Sequence, residues 1–343
     1  MADVDPVSFD QQLNDWIAPP LKGFYNAVMV EVPVFGVGIP IVVAIVVLGA
    51  LFCTLYFGFI NARGLPLAFR TLRGKFDSEG APGGVSHFHA LGTAISGTVG
   101  IGNIGGVAIA ITVGGPGATF WMIVAGLLGM ATKFAECTLG VRYRRINPDG
   151  SVSGGPMFTL RYGLEERGLG WLGKGLGAFY AVGIVIGCLG IGNMFQANQA
   201  FVQLRAVTGG EASLLNGYGW AIGIILAVVV GLVIVGGIRS IASVTDKLVP
   251  FMAILYVTGA VAVIGMNIQV LPAAISDIFV QAFTPTAVAG GMLGALVVGM
   301  KRAVFSNEAG IGSASIAHAA VRTNLPATEG VVALLEPFID TVV

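Results

Sequence analysis

Six stretches of this chain run without a single Asp, Glu, Lys or Arg: Val32 to Ala62, His87 to Thr132, Gly175 to Leu204, Ala212 to Ile238, Leu248 to Ser276 and Ile278 to Met300. A helix crosses the hydrocarbon of a bilayer in roughly 20 apolar residues, and its own hydrogen bonds satisfy its backbone there. The second stretch, interrupted at Gly114-Gly115-Pro116-Gly117, is long enough for two such helices, so seven spans precede Arg322. An eighth starts near Thr328 and reaches Val343 after about 15 residues, short of the roughly 20 required, which predicts an incomplete second half. Composition agrees, with 55% hydrophobic and 10% charged residues, where soluble domains carry about a quarter charged. The expected class is an all-α polytopic membrane protein in a lipid bilayer, with no nucleic-acid partner.

The net charge of zero hides an asymmetry. Asp3, Asp5, Asp10, Asp15 and Glu31 oppose Lys22 at the start of the chain, whereas Arg63, Arg70, Arg73 and Lys75 follow the first span. Positive loops stay inside, so the N-terminus is predicted outside a cell (inner) membrane. The loop from Gly140 to Lys174, with Arg142, Arg144, Arg145, Arg161, Arg167 and Lys174, falls inside on the same count. Cys53, Cys137 and Cys188 lie in apolar helices, are odd in number, and read as small packing residues.

Apolar runs place spans at about 35–58, 88–111, 117–140, 177–204, 218–236, 249–268 and 286–320. Residues 1–31 form an external segment that is amphipathic over 8–27, residues 32–60 an extra first helix, and Leu271 to Phe283 a short outer-surface helix. Within spans two and seven a phrase recurs: Ser96-Gly97-Thr98-Val99-Gly100-Ile101-Gly102-Asn103 and Ser306-Asn307-Glu308-Ala309-Gly310-Ile311-Gly312-Ser313. The same offset carries Pro116 onto Pro326. Paired glycine breaks mark transporters built from repeats. The copies lie an odd number of spans apart, so they run in opposite directions. This predicts an inverted five-helix repeat with broken helices 2 and 7: residues 85–268 form the first repeat, and 284–343 open a second that is not finished.

Glycine tolerates backbone angles closed to other residues, so each phrase invites the helix to unwind. Freed amides suit a carboxylate and freed carbonyls a hard cation such as sodium. The two breaks together are expected to hold a small zwitterion and a cation, flanked by Ser96, Thr98, Asn103, Ser306, Asn307 and Ser313. The competing account is close helix packing through small residues. Gly190-Ile191-Gly192-Asn193 in helix 4 precedes Gln196, Gln199 and Gln203, which share one face. Asn193 and Gln196 either line the cavity or hydrogen-bond between helices. Glu308 completes a cation site, pairs with Arg302 as a gate, or is a structural ion pair. Lys133 and Glu136 read as an interfacial pair, and His87, His89 and His318 as interfacial or packing residues.

Two other classes compete. Thr98-Val99-Gly100-Ile101-Gly102 imitates a potassium filter, but a filter needs four like copies about one axis. An enzyme is not expected, since no nucleophile, base or metal cluster recurs at catalytic spacing.

The stretches Gly114-Gly115-Pro116-Gly117-Ala118-Thr119-Phe120-Trp121-Met122, Ala131-Thr132-Lys133-Phe134-Ala135-Glu136, Gly154-Gly155-Pro156-Met157, Gly192-Asn193-Met194-Phe195-Gln196-Ala197-Asn198 and Phe305 to Ser313 resemble the bacterial and archaeal sodium:alanine/glycine symporter family. The likeness runs from about residue 60 to the C-terminus. It implies a sodium-coupled carrier of small neutral amino acids with the inverted-repeat fold typified by the bacterial leucine transporter. Carried over by motif, the substrate site takes Thr98, Gly100, Gly102, Asn103, Gln196, Ser306, Asn307 and Gly310, with Thr98 and Asn103 as possible sodium ligands. Sodium is the coupling ion, and no cofactor is implied. A proton-coupled amino-acid carrier with Glu308 as its proton site is the nearer alternative, and a cation channel the remoter one. Against the family's layout, spans 8 to 11 are missing.

Overall fold

The computed structural model describes residues 9–34, 37–76, 80–190, 193–284 and 291–343. Asp3, Asp5, Ile191, Gly192 and the predicted start of span seven at 286–290 lie outside them. Helix α1 (Phe9–Val28) precedes a hairpin of β1 (Glu31–Val34) and β2 (Val37–Pro40). Then come α2 (Ile41–Tyr56), α3 (Ile60–Arg63), α4 (Leu65–Leu72), α5 (His87–Thr98), α6 (Val107–Gly114), α7 (Gly117–Arg142) and a second hairpin, β3 (Arg145–Ile146) with β4 (Val152–Ser153). Next are α8 (Pro156–Glu165), α9 (Gly170–Gly190), α10 (Met194–Val207), α11 (Gly219–Ile234) and α12 (Gly237–Met266). The chain closes with α13 (Leu271–Phe283), α14 (Gly291–Asn307), α15 (Ser313–His318), α16 (Pro326–Ala333), α17 (Leu335–Pro337) and a π-helical turn, Phe338–Val342.

Among the described residues, α7, Gly170–Cys188 and α12 are long and apolar enough to cross a membrane, and α5 with the stretch through α6 makes a fourth span bent by 50°. Helices α2 and α11 are apolar but have 16 residues each. At 1.5 Å per residue each covers about 24 Å of the roughly 30 Å of hydrocarbon. The molecule is a multi-pass membrane protein.

Two predicted spans differ in form. The sixth begins at Gly237, because a helix continues through Arg239, Asp246 and Lys247, where charge ends an apolar run but not the hydrogen-bond ladder. The fourth divides into α9 and α10, whereas the seventh is broken between α14 and α15 at the second glycine phrase. The loop expected over Gly140 to Lys174 contains α8, which packs along the first part of α9.

Helix α7 is the hub, packed against α2, α13, α14, α15 and α16. Approach is closest at Gly330 of α16, where an added Cβ would overlap Thr138 Oγ1. The two broken spans lie beside each other and run in opposite directions. Gly114 faces Val298, Gly102 faces Ser306, and Val85 pairs with Val321. At the Val85 end the Arg144 guanidinium donates to the carbonyls of Pro82, Ala319, Val321 and Thr323 at 2.6–2.8 Å, gathering three loops.

Candidate functional site

The first break opens where α5 stops at Thr98 and Val99 turns extended. Asn103 closes the gap: its Oδ1 accepts from the Gly100 amide at 2.8 Å, and the chain resumes as a π-helical turn over Gly102–Gly106. The second break is held by left-handed backbone, with φ of 52° at Glu308, 95° at Gly310 and 92° at Gly312. A side chain resists that region, so Glu308 marks stored strain. Three groups fasten this segment. Asn307 Oδ1 accepts from the Ala309 amide at 3.0 Å, Glu136 Oε1 accepts from the Gly310 amide, and Tyr180 donates to the Ile311 carbonyl at 3.1 Å.

The breaks meet. A Cβ on Gly102 would stand 3.3 Å from Ser306 Oγ, and one on Gly100 would stand 3.0 Å from the Gln196 amide nitrogen. Phe195 of α10 meets Phe305 of α14 edge-on at 6.4 Å. Between the breaks sits Asp340, a residue not singled out from sequence. Its Oδ1 accepts from Asn103 Nδ2 at 2.9 Å; its Oδ2 accepts from Ser306 at 3.0 Å and from Thr341 at 2.7 Å. Asn307 Nδ2 donates to Thr341 Oγ1 at 3.2 Å. Asp340 is buried, its hydrogen-bond donors are neutral, and no ion pair reaches it among the described residues. A buried carboxylate without a counter-charge is costly. The cluster therefore fits a hard cation, for which carboxylate, amide and hydroxyl oxygens are suited ligands.

The structure thus gathers Gly100, Gly102, Asn103, Gln196, Ser306 and Asn307. Gly310 is instead held by Glu136, which accepts from its amide. Thr98 is buried but turns its hydroxyl onto the Ala94 and Ile95 carbonyls of its own helix, so of the two named sodium ligands it is Asn103 that hydrogen-bonds to Asp340. Glu308 accepts from Ser313, and no ion pair joins it to Arg302 among the described residues. Glu136, Glu336 and Asp340 are further acids in this region. Lys133 and Glu136 are not an interfacial pair: Lys133 is fully buried against Glu336 at 3.0 Å, while Glu136 caps the second break. His87 and His318 are likewise interior, both paired with Glu329.

Comparison with known proteins decides the family. The model of the sodium:alanine symporter family matches residues 24–343. The chain belongs to the sodium:alanine symporter family. Its members in this comparison are transporters, not enzymes. A sodium/alanine symporter, AgcS, of Methanococcus maripaludis is 42% identical over 294 residues, covering 85% of this chain and 63% of the archaeal protein. A putative sodium/proton-dependent alanine carrier of Bacillus subtilis is 37% identical, covering 78% and 52%. A probable sodium/glutamine symporter of the same organism is 36% identical, covering 83% and 56%. The chain spans about three fifths of the length of the symporter relatives it matches.

One sequence pattern pointed to the missed residues. Glu329, Glu336 and Asp340 are spaced seven and four apart in an apolar run, which puts three acids on one helical face.

Proposed function

We propose that the intact protein is a sodium-coupled symporter that imports small neutral amino acids, alanine or glycine, across the cell membrane by alternating access. The observation that carries this reading is the meeting of two antiparallel breaks over the buried Asp340 carboxylate. Sodium, the cargo ion, is held by the Asp340 carboxylate with the Ser306 hydroxyl oxygen beside it, and Asn103 fixes the carboxylate from its amide nitrogen. The glycine-rich first break and the Ser306 to Gly310 segment present amides and hydroxyls to the substrate carboxylate, with Gln196 at their edge. Sodium and substrate then stabilise one joint site, and the inverted repeats, the second opened by α14, rock about it. The N-terminus lies outside. The relatives divide by name between alanine and glutamine, and the close Gly102 to Ser306 approach favours the smaller side chain.

A proton in place of sodium is the second reading, favoured by the name of one Bacillus relative. Equilibrium binding of labelled alanine at fixed pH, titrated with sodium, separates the two. Sodium is expected to raise alanine affinity in the wild type and not in Asp340→Asn. Alanine binding that follows pH and ignores sodium would overturn the assignment.

A further inference from the structure

Beside the paired breaks, five ionisable side chains form one buried line. His87 Nδ1 meets Glu329, Glu329 meets His318 Nδ1, His318 Nε2 meets Glu336, and Glu336 meets Lys133 Nζ at 3.0 Å. Four of the five are 0% exposed and His87 is 2% exposed, so solvent does not balance their charges. The line starts at the end of the bundle that Arg144 gathers. It finishes at Lys133, and its Glu336 lies four residues, one helical turn, from Asp340.

The hydrogen positions this geometry permits are few. A carboxylate only accepts, and a neutral imidazole donates from one nitrogen and accepts at the other. His318 has a carboxylate oxygen 2.5 Å from each ring nitrogen. With a neutral ring, one contact would set a lone pair against a carboxylate. One further proton satisfies both, and the imidazole is the more basic of the partners. Charge requires the same: two glutamates against one lysine leave the line negative by one, which a buried site does not tolerate cheaply. The neighbours bring charges of both signs, an arginine against two glutamates, and so do not supply the missing positive one. From α7, Cys137 and Glu136 face the line, Glu308 lies beyond Glu136, and Arg144 acts on Glu329 from the loop.

We propose that His318, held between Glu329 and Glu336, is the binding site of one exchangeable proton, separate from the ion site at Asp340, and that this proton fastens α15 to α16 and α17. Release of the proton to the Arg144 end leaves a lone pair facing a carboxylate, so one contact opens and the tail of the second broken span loosens. The proton count stands without the transport reading; the role of the opening in a transport cycle rests on it.

The chain has three histidines, so nitrogen-15 histidine NMR on the whole protein in nanodiscs is tractable. His87→Gln and His89→Gln assign their own signals by subtraction, leaving His318 without needing a variant at that position. At pH 7 His318 is expected to carry both ring protons. A single-proton neutral ring there would overturn the proposal. Amide hydrogen exchange over 313–337 supplies the second readout. It is expected to rise at least several-fold in His318→Gln at pH 7, and equal rates in the two proteins would overturn the fastening. Sodium-dependent alanine binding measured on the same samples keeps the two claims apart. A neutral His318 with intact binding sinks this inference alone, and a doubly protonated His318 without sodium-dependent binding sinks the transport reading alone.

Discussion

At the scale of single residues the site turns on charge and on the lack of a side chain. Asp340→Asn keeps the shape but removes the anion and turns one acceptor oxygen into a donor, so the sodium concentration that half-activates alanine binding is expected to rise roughly tenfold or more, about 1.4 kcal/mol. An unchanged sodium dependence would place the cation elsewhere. Gly102→Leu puts carbon where Ser306 already stands within 3.3–3.5 Å, so the breaks are forced apart and alanine binding should vanish, as a scintillation proximity assay would show. Gln196→Ala is expected to change affinity or selectivity, because its amide covers Gly100. The glycine and hydroxyl residues were legible because helix breaking is written in local composition. Asp340 was not, since its role depends on Asn103 and Ser306, which lie far from it in the chain.

Elements are held by fastenings between them more than by propensity. The left-handed backbone of the second break makes Gly310→Ala unfavourable by about 1–2 kcal/mol. Contact of the new methyl with Val46 at 3.1 Å adds to this, and a lower thermal midpoint in detergent would register it. Arg144→Ala leaves four loop carbonyls without their charged donor, and charged hydrogen bonds contribute about 1.5–3 kcal/mol each. Faster proteolysis of the 319–325 segment is the expected result, and wild-type resistance would mean that the clamp is redundant. Apolar runs located these helices well where charge and hydrocarbon coincide, as in α7. They missed the first part of α12, because the helix runs on through Arg239 and Lys247 where hydropathy falls. The break at Glu308 was legible as glycine, but its fastening by Glu136 and Tyr180 was not, as neither is near in sequence.

For the whole molecule, the antiparallel neighbours Gly114 with Val298 and Gly102 with Ser306 are what an inverted pair of repeats requires. The charge pattern adds a direction to that arrangement. In a variant without native cysteines, Lys22→Cys should react with an impermeant maleimide on intact cells, and Ser151→Cys only after permeabilisation; the reverse would invert the topology. In the proposed cycle sodium and a small amino acid share the site between the two breaks. Proteoliposomes of the intact protein, given an inward sodium gradient at equal pH on both sides, should concentrate labelled alanine, and Asp340→Asn proteoliposomes should not. Accumulation driven by a pH gradient alone, or steady conductance without alanine, would contradict it.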